Sequence, residues 1–161
     1  MSGHILELSE NITRKTVVYK NRYGLDITGE IYYLKDMDYS CKHPALIVGA
    51  PYGGVKEQGS CVYGNELAQK GFIVLTFDQS FMGDSAGFPR HLSSPDIFTE
   101  NFSAAVDYLG LQEYVDREKI GAVGICGSGE FALSAAQCDT RIKAVATLSM
   151  YDMSAAVRLG I

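Results

Sequence analysis

The run AVGICGSGEF, residues 122–131, places a thiol among glycines where two patterns meet. Small apolar residues lead through Gly124 to Cys126, then Gly127, Ser128 and Gly129 follow, and an apolar series with helical spacing begins. A side chain on so sharp a strand-to-helix turn projects at the carboxyl edge of a sheet, where open α/β folds bind their ligands. A thiol there also stands at a helix N-terminus, which favours the nucleophilic thiolate. The turn is crowded, so the residues two before and two after the nucleophile must be small. Gly124 and Ser128 meet that requirement around Cys126. If Ser128 were the nucleophile, Glu130 would fill the second small position, so Cys126 is the better candidate. The turn also requires a positive φ at Cys126, which a non-glycine residue adopts mainly at functional positions. Glu130, in the first turn of the same helix, adds a negative charge that opposes a thiolate nearby.

A cysteine nucleophile needs a base and an acid to orient that base. The three histidines are His4 in the N-terminal arm, His43 just before an apolar run, and His91 in a long loop. Of these, His91 alone is placed to reach the carboxyl edge, and no histidine follows Cys126.

Composition narrows the function classes. With 161 residues, 47% hydrophobic and 20% charged, the chain has the profile of one globular domain, residues 1–161. A net charge of −5 leaves no broad basic surface for a phosphate backbone, so nucleic acid is not an expected partner. The start MSGHILELSENITRK lacks the basic-then-apolar pattern of a secretory signal. No apolar run approaches the roughly 20 residues of a membrane span, so a cytoplasmic location is expected. Cys41, Cys61, Cys126 and Cys138 are spread out without a CxxC pair, which argues against a zinc site and a disulfide framework. No metal or cofactor is called for. The run GICGSG is a poor dinucleotide fingerprint, because Cys126 stands where that motif needs glycine.

The elements that must position Cys126 follow from periodicity. KTVVYK and LDITGEIYYL flank the turn NRYG and read as an antiparallel hairpin. HPALIVGA, FIVLTFD, KIGAVGI and KAVATLSM are continuous apolar runs, expected as strands buried on both faces. SCVYGNELAQKG, SPDIFTENFSAAVDYLGLQ and GSGEFALSAAQC are expected helices between them, the second with Ser94 as N-cap and Pro95 at its first position. Strands alternating with helices mean parallel strands joined by right-handed crossovers, with helices on both faces of the sheet.

The strand–G-x-C-x-S–helix context resembles the nucleophile elbow of the α/β-hydrolase fold, with cysteine in place of the usual serine. GAPYGGVKEQ, GFIVLTFDQSFMGDSAGFPR, FSAAVDYLG and RIKAVATLSMYDM extend the likeness to the small hydrolases related to dienelactone hydrolase, the YcjY-like group in particular. The resemblance spans about residues 13–161 and implies a hydrolase acting on an ester, lactone or similar acyl bond of a small molecule. It implies an oxyanion hole from the N–H of Gly127 and a second donor in PYGG, Tyr52 first and Gly53 next. The loop DQSFMGDSAG has a mostly structural job in such proteins, which leaves Asp78, Asp84 and Ser85 out of catalysis. In this fold the acid and the histidine follow later strands, so the resemblance implies a mostly parallel sheet with an N-terminal hairpin, truncated after about its sixth strand. Asp152, at the end of the sixth strand, is either the acid or a capping residue in MYDMS. The edge of that strand is expected to meet the missing C-terminal portion or a second copy. The competing reading is a catalytically silent fragment that serves as a binding or interaction module.

Overall fold

β-Branched and aromatic residues alternate through the first two strands, and in the computed structural model, which describes residues 3–160, they pair as expected. β1 (Ile12–Lys20) and β2 (Asp26–Leu34) are antiparallel, in register from Ile12 opposite Leu34 to Lys20 opposite Asp26. The Asn21 side-chain oxygen closes the turn by accepting the N–H groups of Tyr23 and Leu25. The apolar runs form β3 (His43–Gly49), β4 (Ile73–Phe77), β5 (Val115–Ile125) and β6 (Ile142–Leu148). β5 begins earlier than its apolar run, at Val115, which pairs with His43 ahead of a bulge. The sheet order is β1-β2-β4-β3-β5-β6. The last four strands are mutually parallel, and β2 joins them antiparallel through β4.

The connecting helices are α1 (Gly59–Ala68), α2 (Pro95–Gly110) and α3 (Gly127–Cys138). α3 covers the run GSGEFALSAAQC as expected. Ser94 holds the N-cap position of α2 without a side-chain capping bond, and Pro95 opens the helix. α1 packs Cys61 and Ala68 on one face of the sheet, against Tyr32, Val48 and Val74. α2 and α3 pack on the other face, where Phe98, Phe102 and Phe131 meet Ile47, Leu75, Phe77 and Ile120. The rings of Phe77 and Phe102 meet edge to face at 5.3 Å, and those of Phe98 and Phe131 at 5.4 Å. No helix among the described residues is long and apolar enough to cross a membrane.

Two features depart from the expectation. A short fourth helix, α4 (Met153–Leu159), follows β6 where none was expected. Asp152 caps it, Arg158 stands in its last turn, and Gly160 ends it with φ 69°. The second departure is β6 itself, expected to be buried on both faces. Ile142 is buried, but Lys143, Ala144, Ala146 and Thr147 are exposed. The cause is position: among the described residues β6 pairs with β5 alone and ends the sheet. Backbone amides on its outer edge lack a strand partner among the described residues. In hydrogen exchange they are expected to exchange at least about tenfold faster than the amides of β3, which lies between β4 and β5. Equal protection would show that the β6 edge is covered in solution.

Candidate active site

Cys126 adopts φ 54° and ψ −122°, the positive φ its sequence context requires. Neighbours on both sides impose this. Its N–H donates to the Leu148 carbonyl at 2.8 Å, and its own carbonyl accepts from Gly129 N at 2.9 Å and Tyr151 N at 3.3 Å. A Cβ on Gly124 would lie 2.3 Å from the Ser128 carbonyl and 2.5 Å from Gly129 Cα, so β5 and α3 come closer than any side chain allows. Gly49, paired with Gly124 across the sheet, has the same role: a Cβ there would stand 2.5 Å from the Phe102 ring and 2.9 Å from Ser128 Cβ. The two candidate side chains differ in their surroundings. Ser128 is buried, and its hydroxyl donates to the Ala50 carbonyl. Cys126 is half-exposed and carries a free thiol.

The PYGG loop after β3 lies against the elbow. A Cβ on Gly127 would stand 2.9 Å from Tyr52 Cβ, so the loop and the first residue of α3 touch. Gly54 N donates to the Pro51 carbonyl at 2.7 Å, closing a turn with Tyr52 and Gly53 at its tip and Gly53 at φ 75°. As the first residue of α3, Gly127 has an N–H with no acceptor inside the helix.

Lys56, four residues on from Tyr52, fixes this loop. Its side chain is 3% exposed, and its ammonium lies 2.6 Å from Glu57, 3.0 Å from Asp78 and 2.7 Å from Asp84. Its own N–H also donates to Asp78 at 2.7 Å. Burial alone would pull the ammonium down, but the carboxylates of Asp84, Glu57 and Asp78 outweigh it and hold it above the usual lysine range. Burial pushes the Asp78 carboxyl up, against the N–H donors of Asp84 and Lys56. Asp78 and Asp84 belong to DQSFMGDSAG, so one buried cation clamps the loops after β3 and β4 together. Ser85 adds to the clamp, donating to the Asp78 carbonyl and accepting Thr28 N. A Cβ on Gly83 (φ 47°) would strike the Asp78 carboxylate at 2.2 Å. The structural reading of Asp78, Asp84 and Ser85 matches this packing. Lys56 was not singled out in the sequence, where a lysine in a polar stretch reads as solvated.

Residues 149–160 fold back over the elbow. Met153 packs on Gly127 and Met150 on Gly129, each within 2.9 Å of where a Cβ would stand. Glu130, which its place in the chain sets against a thiolate, turns instead toward α4, and its Oε2 accepts the N–H of Met153. Asp152 caps the same helix, accepting Ala155 N at 2.7 Å and the Ser154 hydroxyl at 2.8 Å. Those two donors hold its carboxyl below the usual range. Of the two roles considered for Asp152, capping is the one its contacts display.

None of the hydrogen bonds made by the histidines goes to Cys126. His4 Nε2 lies 2.8 and 2.9 Å from the two oxygens of buried Glu30, which also accepts the Tyr32 hydroxyl. His43 hydrogen-bonds the Asp38 carbonyl at the amino end of β3. His91 is exposed at φ 61°, with its N–H on the Phe81 carbonyl.

With this geometry in place, comparison with known proteins is informative. The sequence model of the dienelactone hydrolase family matches residues 31–155. The uncharacterised protein PA2218 of Pseudomonas aeruginosa is 45% identical over 153 residues, 95% of this chain and 41% of that protein. Its crystal structure superposes with a TM-score of 0.92, covering 95% of this chain and 47% of that one. The uncharacterised protein YcjY of Escherichia coli is 39% identical over 140 residues, 87% of this chain and 46% of that protein. The thiohydrolase aneE of Aspergillus aculeatus is 32% identical over 138 residues, 85% of this chain and 42% of that protein. The chain thus spans less than half the length of these relatives.

Two substitutions probe the site's supports. Lys56→Met leaves the Asp78 carboxylate buried without its cation and is expected to cost about 3–5 kcal/mol at pH 7 in urea unfolding. Because burial raises Asp78 above its unfolded value, the protonated acid is favoured in the folded state. The variant therefore regains stability relative to wild type as pH falls from 7 toward 4. A deficit that stays constant over that range would refute the assignment of Asp78 as the orphaned group. Gly124→Ala, which forces backbone against backbone, is expected to cost at least about 1–3 kcal/mol and to slow alkylation of Cys126. Unchanged alkylation would show that the close approach does not shape the elbow.

Proposed function

Since this chain belongs to the dienelactone hydrolase family, we propose that it is the nucleophile-bearing part of an acyl hydrolase acting through Cys126. The observation that carries this reading is a half-exposed thiol at positive φ on the N-terminus of α3, beside a serine that is sealed and hydrogen-bonded. In the first step Sγ attacks the acyl carbonyl carbon of an ester, lactone or thioester, and a C–S bond forms. The oxyanion is held by the N–H of Gly127 and by that of Tyr52 or Gly53; the contact between the PYGG turn and Gly127 supports this. The C–O or C–S bond to the leaving group then breaks, and the leaving oxygen or sulfur, free or still tethered in a lactone, takes up the proton that came from the thiol. Water hydrolyses the enzyme thioester, releasing the carboxylic acid and restoring the thiol. The histidine that moves these protons, and an acid to orient it, are supplied by polypeptide equivalent to the part of the relatives that this chain does not span. That polypeptide also covers the open edge of β6. The name of the relative aneE, a thiohydrolase, agrees with acyl chemistry of this kind.

The second reading, a silent interaction module, draws on the same open edge and on the hydrogen bonds of the histidines, which go to Glu30, Asp38 and Phe81 and not to Cys126. Acylation separates the two. With p-nitrophenyl butyrate, Cys126 is expected to gain the butyryl group, retained as a thioester and mapped by mass to the peptide containing it, ahead of Cys41, Cys61 and Cys138. Burial pushes the Cys61 thiol up, which keeps it slow. Cys126→Ala should lose the adduct entirely. Acylation spread evenly over Cys41 and Cys138, with Cys126 silent, would favour the interaction module.

A further inference from the structure

Three large, partly exposed apolar residues, Tyr52, Met150 and Tyr151, are tied to the elbow and are taken together as a wall. Tyr52, Met150 and Tyr151 are 41%, 48% and 42% exposed, in a chain where most large apolar residues are buried. All three are fixed to the elbow: Tyr52 against Gly127, Met150 against Gly129, and Tyr151 through its N–H on the Cys126 carbonyl. Met153, buried, packs on Gly127 from α4. The charged groups on the same segment differ in reach. Glu130 and Asp152 are both carboxylates beside the elbow, whereas the cation Arg158 stands in the last turn of α4. Lys56, the cation of the neighbouring loop, is buried and enclosed by three carboxylates. Exposed apolar surface gathered at a reactive group marks a binding surface.

We infer that this wall receives the acyl portion of the substrate and selects for an uncharged, apolar acyl group over one that carries a carboxylate. The inference rests on Cys126 being the nucleophile and adds the substrate class. An aliphatic or aromatic acyl body lies across Tyr52 and Met150 and leaves water there. An anionic acyl group is disfavoured by Glu130 and Asp152, with no free cation beside the thiol among the described residues.

Alkylation tests this without requiring turnover. N-benzyl iodoacetamide, iodoacetamide and iodoacetate each form an S–C bond at Sγ and release iodide, with the thiol proton going to buffer. They differ in being apolar, small and neutral, and anionic. Rates at Cys126, followed by peptide mass mapping, are divided by the rates of the same reagents with N-acetylcysteine amide in free solution. The normalised ratio of N-benzyl iodoacetamide to iodoacetate at Cys126 is expected to be about tenfold or more. Met150→Ser should lower the benzyl rate, and Glu130→Gln should raise the iodoacetate rate. A normalised ratio near one in the wild type would overturn the inference while leaving Cys126 a nucleophile. Failure of all three reagents to label Cys126 would remove the nucleophile reading and this inference with it.

Discussion

The approach of β5 to the first turn of α3 is the constraint on which the rest of this molecule depends. Two backbones pass where Gly124 and Gly129 leave no room for a Cβ, and the chain must turn between them at Cys126. The angle this imposes is costly for a residue with a side chain. It is held by bonds on both sides, from Cys126 N to Leu148 and from Gly129 and Tyr151 back to the Cys126 carbonyl. Gly49 and the buried hydroxyl of Ser128 belong to the same arrangement, because the small contour of β3 lets the start of α3 settle against it. The phenylalanines of α2 and α3 then fill the volume behind the turn.

A second, electrostatic constraint holds the loops in front of the turn. A lysine buried among three carboxylates is not a cheap way to stabilise a protein, since desolvating the charges offsets much of their attraction. Its geometry gives it a different value. The Asp78 carboxylate meets the backbone of Lys56, the ammonium of Lys56 and the backbone of Asp84. One buried acid thereby sets the distance between two loops that hydrophobic packing alone would leave free to slide. The PYGG turn inherits its position beside Gly127 from that fixed distance.

Cys126 was legible in the sequence because its requirements are local. A few adjacent small residues between an apolar run and a helical one specify both the turn and its φ, and the parallel crossovers then place it at the carboxyl edge. The strands and the hairpin were legible for the same reason. What escaped depends on partners distant in sequence. Lys56 is buried by Asp78 and Asp84, from the loop of another strand, and nothing in VKEQ announces them. Glu130 reads as a charge opposing a thiolate until α4 is present to use it. α4 did leave a signal, with Asp152 as cap, Arg158 in the last turn and Gly160 to stop it, but at seven residues it is easily read as a turn. The exposure of β6 follows from its place at the end of the sheet, which composition does not encode.

The closure of α4 over the elbow bears on the order in which such a protein is made. Every group named above as forcing the Cys126 turn, from Gly49 to the Glu130 carboxylate that accepts Met153, lies within residues 49–153. During vectorial synthesis the thiol can therefore be set in its final geometry as soon as α4 has been made. The turn is thus a product of local folding, and its geometry does not wait on what comes to lie along the outer edge of β6.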